Sequence, residues 1–236
     1  MSRSAIRAAV ACAACAACSR PAAAPPPPDD APEPIDAAVP DGPVVIDPPI
    51  GLPDLQLVAS LMIGSWVVTS DVFPDNDCAV IEGCVGGAGR RLLLRFDTVT
   101  GNVGTGDVHV GAPPAPGVSN ETFQWSQCHM HHHVTRYTSY ELLGPGGVVF
   151  TGRKQSFCLE DVQRTSPGVP SRGYTCLNQG ISRGWADSYS RGLPCQWIDV
   201  TDVPSGDYTL RVTVNPDHTL PESDYSNNEL SIAVHF

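Results

Sequence analysis

The sequence has no apolar run long enough to read as a membrane-spanning helix. Its best candidate, the Ala-, Ile-, Val- and Cys-rich start that ends near Cys18, is too short and too weakly hydrophobic. Basic side chains are also scarce. The chain has 14 Lys and Arg against 25 Asp and Glu, a formal net charge of -11, which argues against general nucleic-acid binding. Beyond residue 50 there is no amphipathic pattern of normal helical length and no internal repeat, so neither a helical domain nor a repeat array is expected.

What is present divides the chain into three. Residues 1–19 carry Arg3 and Arg7 ahead of a short apolar stretch and read as an export signal. Small residues precede Cys18, which resembles a bacterial lipoprotein cleavage site with Cys18 as the lipidated residue; plain secretion is the alternative. Residues 20–50 hold eleven of the 23 prolines, interleaved with Ala and Asp, the composition of a stiff, extended linker with little to bury. Much of the negative charge lies there. Residues 51–236 are long enough for one core.

In this last part, short alternating or apolar runs are separated by Gly, Pro, Asn and Asp. The clearest strands are 92–96, 148–151, 208–214 and 230–236, and the clearest turns are 102–106, 144–147 and 204–207. The reading is a mainly β, sandwich-like single catalytic domain with long loops and few short helices. Six cysteines, Cys78, Cys84, Cys128, Cys158, Cys176 and Cys195, form an even set expected to be disulfide-bonded in an exported domain. Six cysteines allow fifteen pairings, and spacing alone favours only the local Cys78 to Cys84 pair.

Four of the seven histidines fall within residues 129–133, in the string WSQCHMHHH at 125–133. On an extended segment, residues two apart share a face, so His129, His131 and His133 point one way and His132 the other. Three imidazoles on one face suit Cu, Zn, Fe or Ni. A cupin would follow its histidines with a glutamate a few residues later, but here the next is Glu141.

The same stretch, continued to residue 143, resembles the copper-binding segment of lysyl oxidases. The resemblance extends through KQSFCLED (154–161), GISRGWADSY (180–189), CQWIDVTD (195–202), GDYTL (206–210) and PESDYSNN (221–228), and upstream through LPDL (52–55) and RLLLRF (91–96). It covers essentially all of residues 51–236. It implies that His129, His131 and His133 hold Cu²⁺, while Lys154 and Tyr189, 35 residues apart as in the family, form a lysine tyrosylquinone. The implied activity is oxidation of primary amines, peptidyl lysine or small amines, by O₂ to aldehydes with release of H₂O₂ and ammonia. Taken alone, neither Lys154 nor Tyr189 carries such a signal.

The sequence departs from the family at the place of a further histidine, where Ser139 stands nearest; Asp187 is the substitute base. The resemblance pairs Cys78 with Cys84 and Cys128 with Cys176. Arg164 and Trp185 stand where the partners of Cys158 and Cys195 belong, so these two are expected to pair with each other. The resemblance also implies Ca²⁺ bound by Asp54, the Leu55 carbonyl, Glu222, Asp224, Asn227 and Asn228, joining the first and last segments of the domain. Localisation is read as secreted, or lipid-anchored at the bacterial cell envelope through Cys18. The competing readings are a non-catalytic copper-binding interaction module on the same fold and an immunoglobulin-like adhesion domain; the second leaves the histidines unexplained.

Overall fold

A computed structural model describes residues 51–147, 149–152 and 158–236; the segments expected to be export signal and linker, with Cys18, and also Lys154 lie outside the described residues. Among the described residues helix is confined to two single turns, α1 (Ala59–Met62) and α2 (Cys78–Ile81), and the regular structure is otherwise β, as the sequence pattern predicts. One four-stranded sheet has the order β1 (Leu55–Leu57), β4 (Thr98–Asn102), β12 (Trp185–Tyr189), β10 (Gln163–Arg164). A second has β15 (Glu229–His235), β14 (Asp207–Val214), β8 (Thr138–Leu143), β9 (Val149–Gly152). A three-stranded sheet joins β13 (Trp197–Asp199), β3 (Gly89–Arg95) and β2 (Val67–Phe73), and two pairs complete the set: β11 (Gln179–Ile181) with β5 (Val108–Gly111), and β6 (Phe123–Ser126) with β7 (His131–Val134).

The two four-stranded sheets feed one apolar core. Leu55, Leu57, Val99, Ala186 and Tyr189 come from the first, and Tyr140, Leu142, Leu210, Val212, Val214, Ile232 and Val234 from the second. Strands β8, β14 and β15 bury alternate residues, so the period-two pattern of their sequence becomes one packed face and one wetter face. Each such leucine or valine taken out of water contributes about 1.5–3 kcal/mol. Strand β4 is different: all five of its residues are buried. It sits between β1 and β12, and alternation is lost because both faces are covered. The β8–β9 hairpin closes through the bond from Gly147 N–H to the Gly144 carbonyl, with Gly146 and Gly147 at φ 87° and 80°, a conformation that side chains disfavour.

All six cysteines are disulfide-bonded, but the partners differ from those expected: Cys78–Cys128, Cys84–Cys195 and Cys158–Cys176. Cys78 and Cys84 cannot meet because a helical turn intervenes. Cys78 opens α2, whereas Cys84 lies beyond the turn in a second apolar cluster with Phe73, Val85, Leu93, Cys195 and Trp197. Trp197 Nε1–H donates to the Cys84 carbonyl at 2.9 Å, fixing that segment against β13 and presenting Cys84 to Cys195. Cys128, at the tip of the β6–β7 hairpin, is left to Cys78, with Cα atoms 5.7 Å apart.

Candidate functional site

The histidine string forms a hairpin. Strands β6 and β7 pair with Gln124 opposite His133, Trp125 opposite His132 and Ser126 opposite His131. The reversal is closed by Met130 N–H donating to the Ser126 carbonyl at 2.8 Å, with Met130 itself at φ 55°. His132 takes the opposite face, as the alternation predicts. Its Nε2 lies 2.8 Å from the Val118 carbonyl and its ring packs on Trp125, so it is structural.

The other three imidazoles converge. His129, His131 and His133 each bring one ring nitrogen within 4.8 Å of the others. The Nε2 atoms of His131 and His133 are 3.1 Å apart, and His129 Nδ1 is 3.4 Å from His133 Nε2. Two nitrogens bound to one metal at about 2.0–2.1 Å in tetrahedral or square geometry stand roughly 2.9–3.4 Å apart. The donor set therefore fits one transition-metal ion. His131 Nδ1 lies 2.9 Å from the His129 carbonyl, the tie that keeps the Nδ1 proton there and leaves Nε2 its lone pair. Burial lowers the His131 pKa from its ordinary value, with the bond to that carbonyl opposing, which favours the neutral ligand form.

A carboxylate that the sequence reading passed over stands beside this set. Glu82 caps the C-terminal end of α2, the helical turn held to the hairpin by Cys78–Cys128. Its Oε1 accepts from Ser126 Oγ at 2.5 Å, and Ser126 Oγ in turn accepts the His129 backbone N–H at 3.0 Å. Its Oε2 is 3.7 Å from His129 Nε2.

Tyr189 and Asp187 lie on β12, two residues apart and both buried, opposite Thr98 and Thr100 of β4. The structure thus brings these two together. Burial pushes the Tyr189 phenol well above its ordinary pKa, and the Asp187 charge, the nearby Tyr137 and a hydrogen bond to Asp187 add to it. Tyr137, also fully buried beside Asp187 and Thr100, is raised in the same way. Tyr140, bonded to Thr98 and Gln196, is pushed up to about 12, mainly by burial. The result is a buried cluster of three neutral phenols and one carboxylate. Tyr137 carried no sequence signal beyond its nearness to the histidines.

The six residues expected to hold calcium gather in part. Glu222 Oε2 accepts the Leu55 backbone N–H at 2.6 Å, while Oε1 accepts from Asn215 Nδ2 at 2.5 Å and Asn228 Nδ2 at 2.9 Å. Asn227 Nδ2 donates to Asp54 Oδ1 at 2.9 Å. Asp224 is exposed, and its carboxylate accepts the Ser226 N–H. The buried Oδ1 atoms of Asn227 and Asn228 have no hydrogen-bond partner among the described residues, an arrangement that suits a hard cation.

Fold and geometry together define a small β domain that gathers three imidazoles for a transition metal and keeps a phenol–carboxylate pair out of water. Its family follows from comparison with known proteins. The lysyl oxidase family profile matches residues 75–236, and the chain belongs to that family. Lysyl oxidase homolog 2 of Rattus norvegicus is 37% identical over 189 residues, covering 75% of this chain and 23% of that protein. Protein-lysine 6-oxidase of Bos taurus is 35% identical over 198 residues, covering 79% and 46%, and that of Gallus gallus is 37% identical over 190 residues, covering 75% and 44%. The chain spans less than half the length of these relatives.

Proposed function

We propose that residues 51–236 are a copper-dependent amine oxidase domain in which His129, His131 and His133 hold Cu²⁺ and Lys154 and Tyr189 supply a lysine tyrosylquinone. The observation that carries this reading is the convergence of three ring nitrogens at separations suited to a single ion. The metal and quinone, with O₂, would supply the oxidation of a primary amine to an aldehyde, releasing ammonia and H₂O₂. The protein-lysine 6-oxidase relatives favour lysine side chains of proteins as substrates, with small primary amines as the alternative.

The chain's own residues have separable roles. His131 enters as the neutral imidazole that its burial favours. Tyr189 is kept as the un-ionised phenol, its hydroxyl bonded to Asp187. Asp187, buried two residues away, receives the proton that the phenol or a bound substrate gives up. Residues 1–19 direct export and residues 20–50 tether the domain, with lipid attachment at Cys18 and the envelope or the exterior as destination. Three disulfides suit that oxidising compartment. Ca²⁺ at Asp54, Leu55, Glu222, Asp224, Asn227 and Asn228 would fasten the domain's first strand to its last loop.

The test is proteolysis and mass spectrometry of the exported, copper-loaded protein. A cross-linked peptide containing Lys154 and Tyr189 that reacts with phenylhydrazine is the expected result. Its absence from fully metallated protein would leave a non-catalytic copper-binding module.

A further inference from the structure

We propose that Glu82 is a positioning residue for the metal centre: its Oε2 accepts the Nε2–H of His129 and so turns that ring's Nδ1 toward the ion. The inference rests on the metal reading above. Oε2 is buried and has no hydrogen-bond partner among the described residues, and the His129 ring nitrogen stands 3.7 Å from it, one small adjustment from a hydrogen bond. A buried carboxylate oxygen left in this state is costly unless something completes it. On the other side of the same ring, Nδ1 faces His133 Nε2 at 3.4 Å, the direction of the proposed ion. The three ligands would then be Nδ1 of His129 and Nε2 of His131 and His133, each ring of the first two oriented by an acceptor behind it: a carboxylate for His129 and a backbone carbonyl for His131. Glu82 is itself held in place. Ser126 binds its other oxygen, and Cys78–Cys128 anchors its helical turn to the hairpin.

The test compares the copper-loaded wild-type chain with Glu82→Gln, Glu82→Asp and Ser126→Ala. The readouts are copper affinity, by chelator competition, and the electron spin-echo signals of the non-coordinating imidazole nitrogens. Peptide mapping of Cys78–Cys128 and thermal unfolding of the metal-free proteins establish that each variant folds. The expected result is a roughly 10–100-fold loss of affinity in Glu82→Gln with one of three remote-nitrogen signals altered. Glu82→Asp recovers part of the affinity, and Ser126→Ala, which removes one tie on Glu82 but keeps its carboxylate, costs less affinity than Glu82→Gln. Affinity within twofold and unaltered signals in folded Glu82→Gln would overturn the proposal while leaving the three-histidine site intact. Failure of the wild-type chain to bind copper would overturn the metal reading, and this inference with it.

A different observation carries a second inference. Lys154 is the single lysine in the 236 residues; the other 13 of the 14 Lys and Arg are arginine. Geometry requires arginine at some of these positions, such as Arg95 with its three donors, but not at all of them. Arg136, whose side chain is 69% exposed, pairs with Asp217 as an ammonium would, and Arg90 and Arg183 are exposed as well. We infer that the surface is kept clear of lysine, so that one copy of the enzyme offers no substrate to another; this too rests on the proposed activity. The reaction avoided is conversion of a side-chain CH₂NH₂, with O₂ and water, to CHO, ammonia and H₂O₂. In copper-loaded protein carrying Arg90→Lys, Arg136→Lys and Arg183→Lys, hydrazide labelling should find carbonyls at the new positions, and none when Tyr189→Phe is added or in the wild type. A triple variant that oxidises an alkylamine yet gains no carbonyl would overturn the inference. If neither protein oxidises any amine, the activity itself falls.

Discussion

The two halves of the candidate site are built in opposite ways. The imidazoles sit on a two-stranded hairpin, two of them only partly covered, tied down by Cys78–Cys128 and a few side-chain bonds. The Tyr189–Asp187 pair belongs to a central strand with neighbours on both sides and the main core against it. A metal ligand set needs a route for the ion and rings held in the coordinating direction, whereas the tyrosine of the proposed quinone needs a fixed place without water. Ordinary core packing secures the tyrosine, and dedicated local restraints secure the ligands.

The largest expected effect separates the halves outright. His131→Ala should lower copper affinity by more than about 100-fold and prevent any Lys154–Tyr189 cross-link. Tyr189→Phe should prevent the cross-link but leave copper stoichiometry at the wild-type value; if it also loses copper, the halves are not independent. On the core side, Leu210→Ala should cost about 2–5 kcal/mol in denaturant unfolding. Removing Cys78–Cys128 by paired serine substitution should cost less, about 2–4 kcal/mol, yet weaken copper binding more than Leu210→Ala does.

Protonation sharpens the same contrast. His131 has a folded-state pKa below its ordinary 6.5, so the unfolded chain takes up that proton first. Stability of the metal-free protein should therefore be fully present above pH 6.5 and decline as pH falls through the lower folded value, with a shallower decline in His131→Ala. The tyrosines behave in the reverse sense. Tyr137, Tyr140 and Tyr189 are raised above 10, so absorbance titration should find them silent up to alkaline unfolding, the stability they contribute being fully present below about 10 and lost as pH rises from there through their folded values. The smallest effect should come from Arg136→Ala, below about 1 kcal/mol, because its pair with Asp217 is exposed.

What was legible in the sequence follows the same physics. The strands that bury one face show alternation, and β14 and β15 lie within one residue of the expected 208–214 and 230–236. The grouping of His129, His131 and His133 against His132 follows from period two alone. Strand β4, with Thr, Gly and Asn covered on both faces, has no alternation to read. Disulfide partners were illegible because they depend on how α2 and β13 meet in space, not on spacing. Glu82 gave no signal for the same reason: it reaches His129 across 47 positions, through a helical turn whose place is set by Cys128.

The closure of the chain has a consequence in time. Leu55 bonds Glu222 across 167 positions, and β4, in the middle of its sheet, waits for β12. Contacts this distant in sequence make folding slow and bar the early strands from completing their sheet while later residues are still being synthesised. The nascent chain is thereby kept without its end-to-end tertiary lock until residues near 222 have been made.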